Sequence, residues 1–390
     1  MMGQVLRQMG LLLLCLFLLG GCWDYRGLNE QTIVAGMAVD LGEEEQGFSL
    51  TFEIMDLEGE GEGQFASLLL TTEGESLGEA LFDAYAKLHD NVYLGAADVV
   101  LVSQTLAEQR GIMSLVDYLV RNPKAQNNRN IVIAAGDSAA ELLSPAEEEE
   151  GEGRILSAAL GESLRGRRRG TRKEADALRC YEIFNRLAEG TSSLALPLVG
   201  SGETEDIPFQ LEGLALFSGD RMTGKLDKAD MPLYLLAAAG LRDRAFSVDI
   251  RGPEGKEEKV VLANRRSRPR LSFQEADNTL RFVLDISMTA DAAQLPLHWG
   301  PVDQAMLRRI EAGASETLEN QVSELIVRHQ KEGHDILGFG ETLRKTSPRL
   351  WEALAGDWDW WFKQSEVDIR VDVQIQNAGI LVRTSGGMQG

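Results

Sequence analysis

Cysteine, histidine and long apolar runs are all scarce in this chain, and each scarcity removes a class of protein. Three cysteines occur in 390 residues, Cys15, Cys22 and Cys180. The first two fall in a leader and at its cleavage site, as argued below, so Cys180 alone is left as a free thiol. That excludes a disulfide-stapled fold, even for an extracytoplasmic protein. The four histidines, His89, His298, His329 and His334, show no His-Glu-x-x-His pattern and no paired-ligand spacing. His329 and His334 stand five apart with Gly333 between them, off a common helix face. Each histidine therefore reads as a surface or packing residue, and no metal is assigned. No Gly-x-Ser-x-Gly elbow, Walker loop or Ser-x-x-Lys motif occurs. The carboxylates are too numerous for spacing to select a catalytic pair. The expectation is a protein that is not an enzyme, with no catalytic residue and no cofactor.

Positive charge is also in deficit. Lysine and arginine total 39 against 61 acids, for a net charge of −22. Such a surface repels nucleic acid and anionic lipid headgroups. Apolar runs are short: Leu11–Leu19 covers nine residues and Leu233–Leu241 another nine. Roughly 20 are needed to cross a bilayer, so neither reads as a membrane span.

What is present near the start is "LLLLCLFLLGGCWDYRGLNE". Met1 to Gly10 carries one positive charge, Arg7, and no acid; the apolar run follows, then small residues. This is the layout of a secretory leader. Leu19-Gly20-Gly21-Cys22 resembles a bacterial lipobox. There the small residues let an extended backbone enter the lipoprotein peptidase, which would cut between Gly21 and Cys22. Cys22 would carry the diacylglyceryl and N-acyl groups. Two acyl chains suffice for stable anchoring, at about 0.8 kcal/mol per buried methylene. Attachment would then owe nothing to a basic patch.

Beyond the leader, Thr32–Leu41 and Phe48–Leu57 read as strands around an acidic hairpin at Gly42–Gly47. "EGEGEGQ" has the glycine spacing of a phosphate loop, but three glutamates would repel phosphate, so it reads as a solvated loop. Ser76 begins a helix to Leu88, with Glu79 completing a capping box. "DVVLV" reads as a buried strand, "GIMSLVDYLVRNP" as a helix and "NIVIAAG" as another strand. A low-complexity region follows, acidic at Glu147–Glu152 and basic at Arg165–Lys173, and reads as solvated. "LEGLALFSGDRMTGKLDKADMPLYLLAAAG" gives a strand, a turn, a short strand and a helix. Further strands read at Ala245–Arg251, Lys259–Ala263 and Leu280–Met288. Asp303–Gly333 is a long helix, and "VDIRVDVQIQ" a half-buried strand expected to be antiparallel. In "LWEALAGDWDWWF", Trp351, Leu354, Trp358, Trp361 and Phe362 recur at three or four, one helix face suited to core packing.

These segments, in this order, resemble the Ger(x)C family, the lipoprotein C subunits of spore nutrient germinant receptors. "GCWDYRGLNE" with "IVAGMAVD" is similar to the family's mature start through Cys22, Trp23, Asp24, Arg26, Leu28, Asn29, Gly36 and Asp40. "LEGLALFSGDRMTGKL" resembles its hairpin through Gly213, Phe217, Met222, Gly224 and Leu226. "DILGFGETLRKTSPRLWEAL", with Gly338, Phe339, Gly340 and Trp351, resembles its ending. Asn122 stands where the family has an acidic residue. The resemblance implies three mixed α/β domains, no catalytic site, and two membrane-embedded partners, one of them permease-like.

The fold expected is α+β, a mixed α/β multidomain chain with a sheet and packed helices in each domain and a largely antiparallel C-terminal part. Its divisions are a leader over 1–21, an N-terminal α/β region over 22–200, a hairpin and helix region over 201–245, and a C-terminal α+β domain over 246–390. The function expected is a non-catalytic scaffold or coupling subunit on the outer face of the spore inner membrane, bound to lipid through acyl chains and not to nucleic acid. The alternative is a solute-binding lipoprotein of a transporter. That class has two similar lobes around a cleft, which the C-terminal pattern disfavours.

Overall fold

In this computed structural model the residues described are 31–43, 47–56, 66–88, 91–122, 129–144, 155–168, 178–188, 194–204, 207–238, 240–242, 244–276, 279–299 and 302–377. Two sheets organise them.

The first sheet is built from β1 (Gln31–Leu41), β2 (Phe48–Asp56), β3 (Ala66–Gly74), β4 (Asn91–Tyr93), β5 (Val99–Ser103), β6 (Asn130–Ala134), β7 (Leu194–Thr204), β8 (Ile207–Ser218) and β9 (Arg221–Asp227). Their order is β3-β2-β1-β5-β6-β7-β8-β9, with β4 paired to β1. The centre, β1-β5-β6-β7, is parallel and the flanks are antiparallel hairpins. Central parallel strands are covered on both faces, so they need near-continuous apolar sequence. "VVLVS" and "NIVIA" supply it, and every residue of both is buried. On one face Val100, Val102, Ile131 and Ile133 pack against α1 (Leu77–Leu88), α2 (Gln104–Gln109), α3 (Met113–Arg121) and α5 (Cys180–Ala188). On the other, Val99, Leu101, Val132 and Ala134 pack against α4 (Leu156–Arg168) and the short 3-10 turn Ala140–Leu143.

Two buried carboxylates attach that second layer. Asp40, on β1, accepts the N–H groups of Ala139 (2.6 Å) and Ala140 (3.0 Å) at the start of the 3-10 turn. Glu53, on β2, accepts those of Leu156 (2.6 Å) and Ser157 (2.9 Å) and the Ser157 hydroxyl, at the first residues of α4. A charged acceptor at orphan helix N–H groups satisfies them and complements the helix dipole.

The second sheet runs β10-β11-β12-β13, from β10 (Arg244–Arg251), β11 (Glu257–Ala276), β12 (Thr279–Gln294) and β13 (Glu366–Asn377). One face is apolar, through Phe246, Val248, Ile250, Phe282, Leu284, Ile286, Val371 and Val373. The helices on this side are α6 (Met231–Ala238), α7 (Gln304–Glu332), α8 (Phe339–Thr346), α9 (Pro348–Leu354) and α10 (Trp358–Gln364). The long α7 buries Ile310, Ala314, Leu318, Val322, Leu325 and Ile326 in this core. Its Asp303 cap accepts the Met306 N–H at 2.8 Å.

The last strand corrects the expectation of an antiparallel one: β13 is parallel to β12. A parallel neighbour needs a crossover, and α7 to α10 provide it between Gln294 and Glu366. As an edge strand β13 would offer bare N–H groups. Side chains of α7 accept them instead: Glu311 from Ile375 (2.8 Å), Ser315 from Val373 (3.0 Å) and Glu319 from Val371 (3.4 Å). Thr317 ties α7 to the opposite edge by donating to the Asp249 carbonyl at 2.8 Å.

The two cores meet at β8 and β9. Ala215, Phe217 and Met222 face the first core, whereas Leu214, Leu216 and Leu226 belong to the second. The hairpin of the expected 201–245 region is thus part of the first sheet, and its helix α6 packs in the second core. Residue 200 lies inside β7.

Candidate functional site

The seam between the cores is crossed by the chain that leaves α7. Gly333 closes the helix in the left-handed region, at φ 86°. The His334 N–H donates to the His329 carbonyl (2.8 Å) and the Gly333 N–H to that of Gln330 (3.0 Å). This bond pair is the Schellman closure, which lays the residue after the glycine beside the one four before it. Here those residues are His334 and His329, with ring centroids 6.0 Å apart. Five-residue spacing had placed them apart; the glycine turn brings them together. Both are buried, at 8% and 4% exposure, so they are not the surface residues that was one of the expectations.

Between them stands the half-exposed Glu332. Its Oε2 lies 3.2 Å from His334 Nδ1 and 3.8 Å from His329 Nδ1. The other nitrogen of His334, Nε2, is 3.1 Å from the Thr223 hydroxyl on β9. Gly224 makes that approach possible, since a Cβ there would fall 2.3 Å from His334 Cε1. Among the described residues, His329 Nδ1 is buried with no hydrogen-bond partner. Burial holds the His329 imidazole below its ordinary pKa, with Glu332 opposing the shift. Among the described residues, His329, Glu332 and His334 are a group whose donor atoms converge, all within 4.8 Å. No spacing rule found this group; the signal was a glycine flanked by His329, Glu332 and His334.

One residue on, Asp335 is buried and accepts the N–H groups of Phe339 and Gly340, both at 2.8 Å, at the start of α8. Burial raises its pKa against the pull of these backbone donors. Gly338, at φ 76°, lets the chain turn back over the carboxylate. Phe339 is fully buried, edge-on to Phe282 at 5.1 Å. A Cβ on Gly340 would lie 3.0 Å from Trp358 and 3.1 Å from Trp351, so glycine admits both indoles. The motif residues Gly338, Phe339, Gly340 and Trp351 thus form one packed unit. Trp351, Trp358 and Phe362 are buried as expected, but on two helices rather than one. A 3-10 turn at Ala355–Asp357 separates α9 from α10 and leaves Trp360 58% exposed.

A cavity of about 400 Å³ opens at the same seam. Its wall includes Arg186 of α5, Ala195 of β7, Tyr234 of α6, His334, Glu341 and Lys345. The Arg344 guanidinium holds the Glu341 carboxyl below its usual range, with Lys345 adding to it. Apart from this seam, Cys180 is fully buried and its thiol is pushed up to about 11 by burial. The expected acylation and cleavage residues Gly21 and Cys22, with Trp23, Asp24, Arg26, Leu28, Asn29 and His89, lie outside the described residues.

Residues 24–201 match the family model for the spore germination protein N-terminal domain. Residues 212–379 match that for the spore germination B3/GerAC-like C-terminal region. Spore germination protein KC of Bacillus subtilis (strain 168) is 22% identical, covering 95% of each chain. The putative spore germination protein YfkR of the same organism is 20% identical, covering 96% of each. The crystal structure of the GerBC protein superposes with a TM-score of 0.56 at 13% identity, over 91% of this chain and 100% of that one. At such identity the likeness concerns the fold.

Proposed function

Since the chain belongs to the Ger(x)C family of spore germination proteins, we propose that it is the lipid-anchored, non-catalytic subunit of a nutrient germinant receptor. It would sit on the outer face of the spore inner membrane and hold or couple two membrane-embedded subunits, one permease-like. The observation that carries this reading is collinearity. The family models tile 24–201 and 212–379, and the first begins two residues after Cys22 of the Leu-Gly-Gly-Cys motif.

Anchoring by lipid suits what the chain offers. No helix among the described residues is long and apolar enough to cross a membrane. A net charge of −22 sets the chain as a whole against anionic headgroups. Acyl chains on Cys22 would supply the attachment and confine encounters with partners to a surface, raising their effective concentration. The shared strands β8 and β9 join both halves through buried side chains, which suits a part that transmits position.

The cavity supports a second reading, capture of a small solute, because about 400 Å³ falls within the usual range of ligand sites. Among the described residues the two sheets, of nine and four strands, are not the similar lobes of that class. Purification of the lipidated chain from spore membranes tests the choice. A receptor subunit brings the membrane-embedded receptor subunits with it, and Cys22→Ala weakens their recovery. Recovery of transporter subunits instead would favour solute capture and overturn the receptor reading.

A further inference from the structure

We propose that His329, Glu332 and His334 form a binding site for a divalent transition-metal ion of the zinc class at the closure of α7. Two imidazoles and a carboxylate are a ligand set that zinc accepts, leaving a fourth position for water or an outside ligand. The spacing fits. Tetrahedral ligands about 2.1 Å from the ion lie about 3.4 Å from one another. Glu332 Oε2 is 3.2 Å from one imidazole Nδ1 and 3.8 Å from the other, close to that separation on both sides. The two imidazoles offer nitrogens within 4.8 Å of each other, so the rings would draw together by up to about 1.4 Å to reach the tetrahedral separation.

Three further features point to an ion rather than to a packed histidine pair. His329 is 4% exposed, and its Nδ1 faces Glu332 with no hydrogen bond to any described residue. A buried polar atom left this way is costly, and a metal bond would satisfy it. His334 already has the outer contact that metal-binding histidines use to fix ring and tautomer. With an ion on Nδ1, its Nε2–H donates to Thr223 Oγ1 at 3.1 Å. Binding at Nδ1 selects the neutral tautomer whose single proton is on Nε2, so a ring that carries it on Nδ1 without the ion exchanges it through solvent and none is lost. Finally, the three side chains stand at the carboxyl end of a 29-residue helix, where the backbone dipole favours a cation. The Schellman bonds and the glycine contact at Gly224 set these positions before any ion arrives. Because Thr223 lies on β9, the ion would fasten the end of α7 to the first sheet.

The test uses the full chain in detergent, without a histidine tag, stripped by chelator and dialysed against Zn²⁺. The expected result is one Zn²⁺ per chain, a melting temperature raised by the ion, and a visible tetrahedral spectrum when Co²⁺ is substituted. Glu332→Gln, at a half-exposed side chain, should lower Zn²⁺ affinity at least tenfold, and His334→Asn likewise. If His334→Asn does not fold, Glu332→Gln decides alone. Failure to retain stoichiometric Zn²⁺ would overturn the proposal. So would unchanged affinity in Glu332→Gln, which would place the ion elsewhere, such as at His298 with Glu258, 2.9 Å apart.

Discussion

Replacing Trp358 by alanine should separate the stability of the second core from its surface within two residues. Trp358 is 5% exposed and touches three aromatic neighbours. Its ring is stacked near Phe362 at 5.9 Å, edge-on to Trp351 at 5.3 Å and edge-on to Phe282 at 6.5 Å. Truncating a buried tryptophan costs about 3–5 kcal/mol, from lost transfer energy and the cavity left behind. Contraction of the site is limited, because the rings are held by separate elements, α9, α10 and β12. For a unit of 150–250 residues each kcal/mol moves the melting temperature by roughly 2–4 °C. The second-sheet transition, followed by circular dichroism or calorimetry, should therefore fall by roughly 6–20 °C. Trp360→Ala is the internal control. That ring is 58% exposed and packs against Trp361, so its loss should stay near ±0.5 kcal/mol. Equal shifts for the two variants, or an unchanged curve for Trp358→Ala, would refute the assignment of this cluster to the core.

Three further outcomes are expected. Cys22→Ala should abolish labelling by a fatty-acid analogue and accumulate uncut precursor, whereas Cys15→Ala should label normally; persistent label in Cys22→Ala would remove the lipobox. Cys180, buried with a thiol pKa of about 11, should resist a thiol reagent at pH 8 until the chain is unfolded by denaturant. Rapid reaction in the native state would contradict that burial. Glu341, held by Arg344 and Lys345, should titrate below its ordinary 4.5 in a carboxyl-resolved NMR experiment. Since its folded pKa is depressed, its contribution to stability is present above pH 4.5 and lost as pH falls through the folded value. Glu341→Gln should flatten that part of the stability curve, and a midpoint at or above 4.5 would count against the ion pair.

Much of the fold was legible because burial writes itself into sequence. "DVVLV", "NIVIAAG" and the α7 stripe were read correctly, since a strand covered on both faces and a long one-sided helix leave unambiguous patterns. β11 was legible only in its first residues. Its arginines at 266, 268 and 270 lie on the exposed face, Arg265 is exposed at a bulge, and Pro269 argues against a strand. The structure accommodates that proline because β10 pairs with 257–264, and among the described residues no strand pairs with the rest of β11 on that side. β7 was hidden in the same way by Pro197; β6 pairs with it only at Leu198 and Val199.

The site was less legible than the fold. Gly338, Gly340 and Trp351 were found by resemblance, but their reason is tertiary: a buried Asp335 beneath the turn and two indoles against Gly340. His329 and His334 were kept apart by counting along a helix, and that count stops applying at Gly333. The apolar stripe of α7 carries no information about Glu311, Ser315 and Glu319. Their role at the β13 edge depends on a strand more than fifty residues away.

The measurement that bears most directly on the receptor assignment is nutrient germination of spores lacking this gene, in a strain with no redundant receptor. A receptor subunit requires that the nutrients served by its receptor no longer trigger germination, while stimuli acting downstream still do. Restoration by the wild-type gene, and poor restoration by an exported form lacking Cys22, would complete the expected result. Normal nutrient germination in the deletion strain would contradict it.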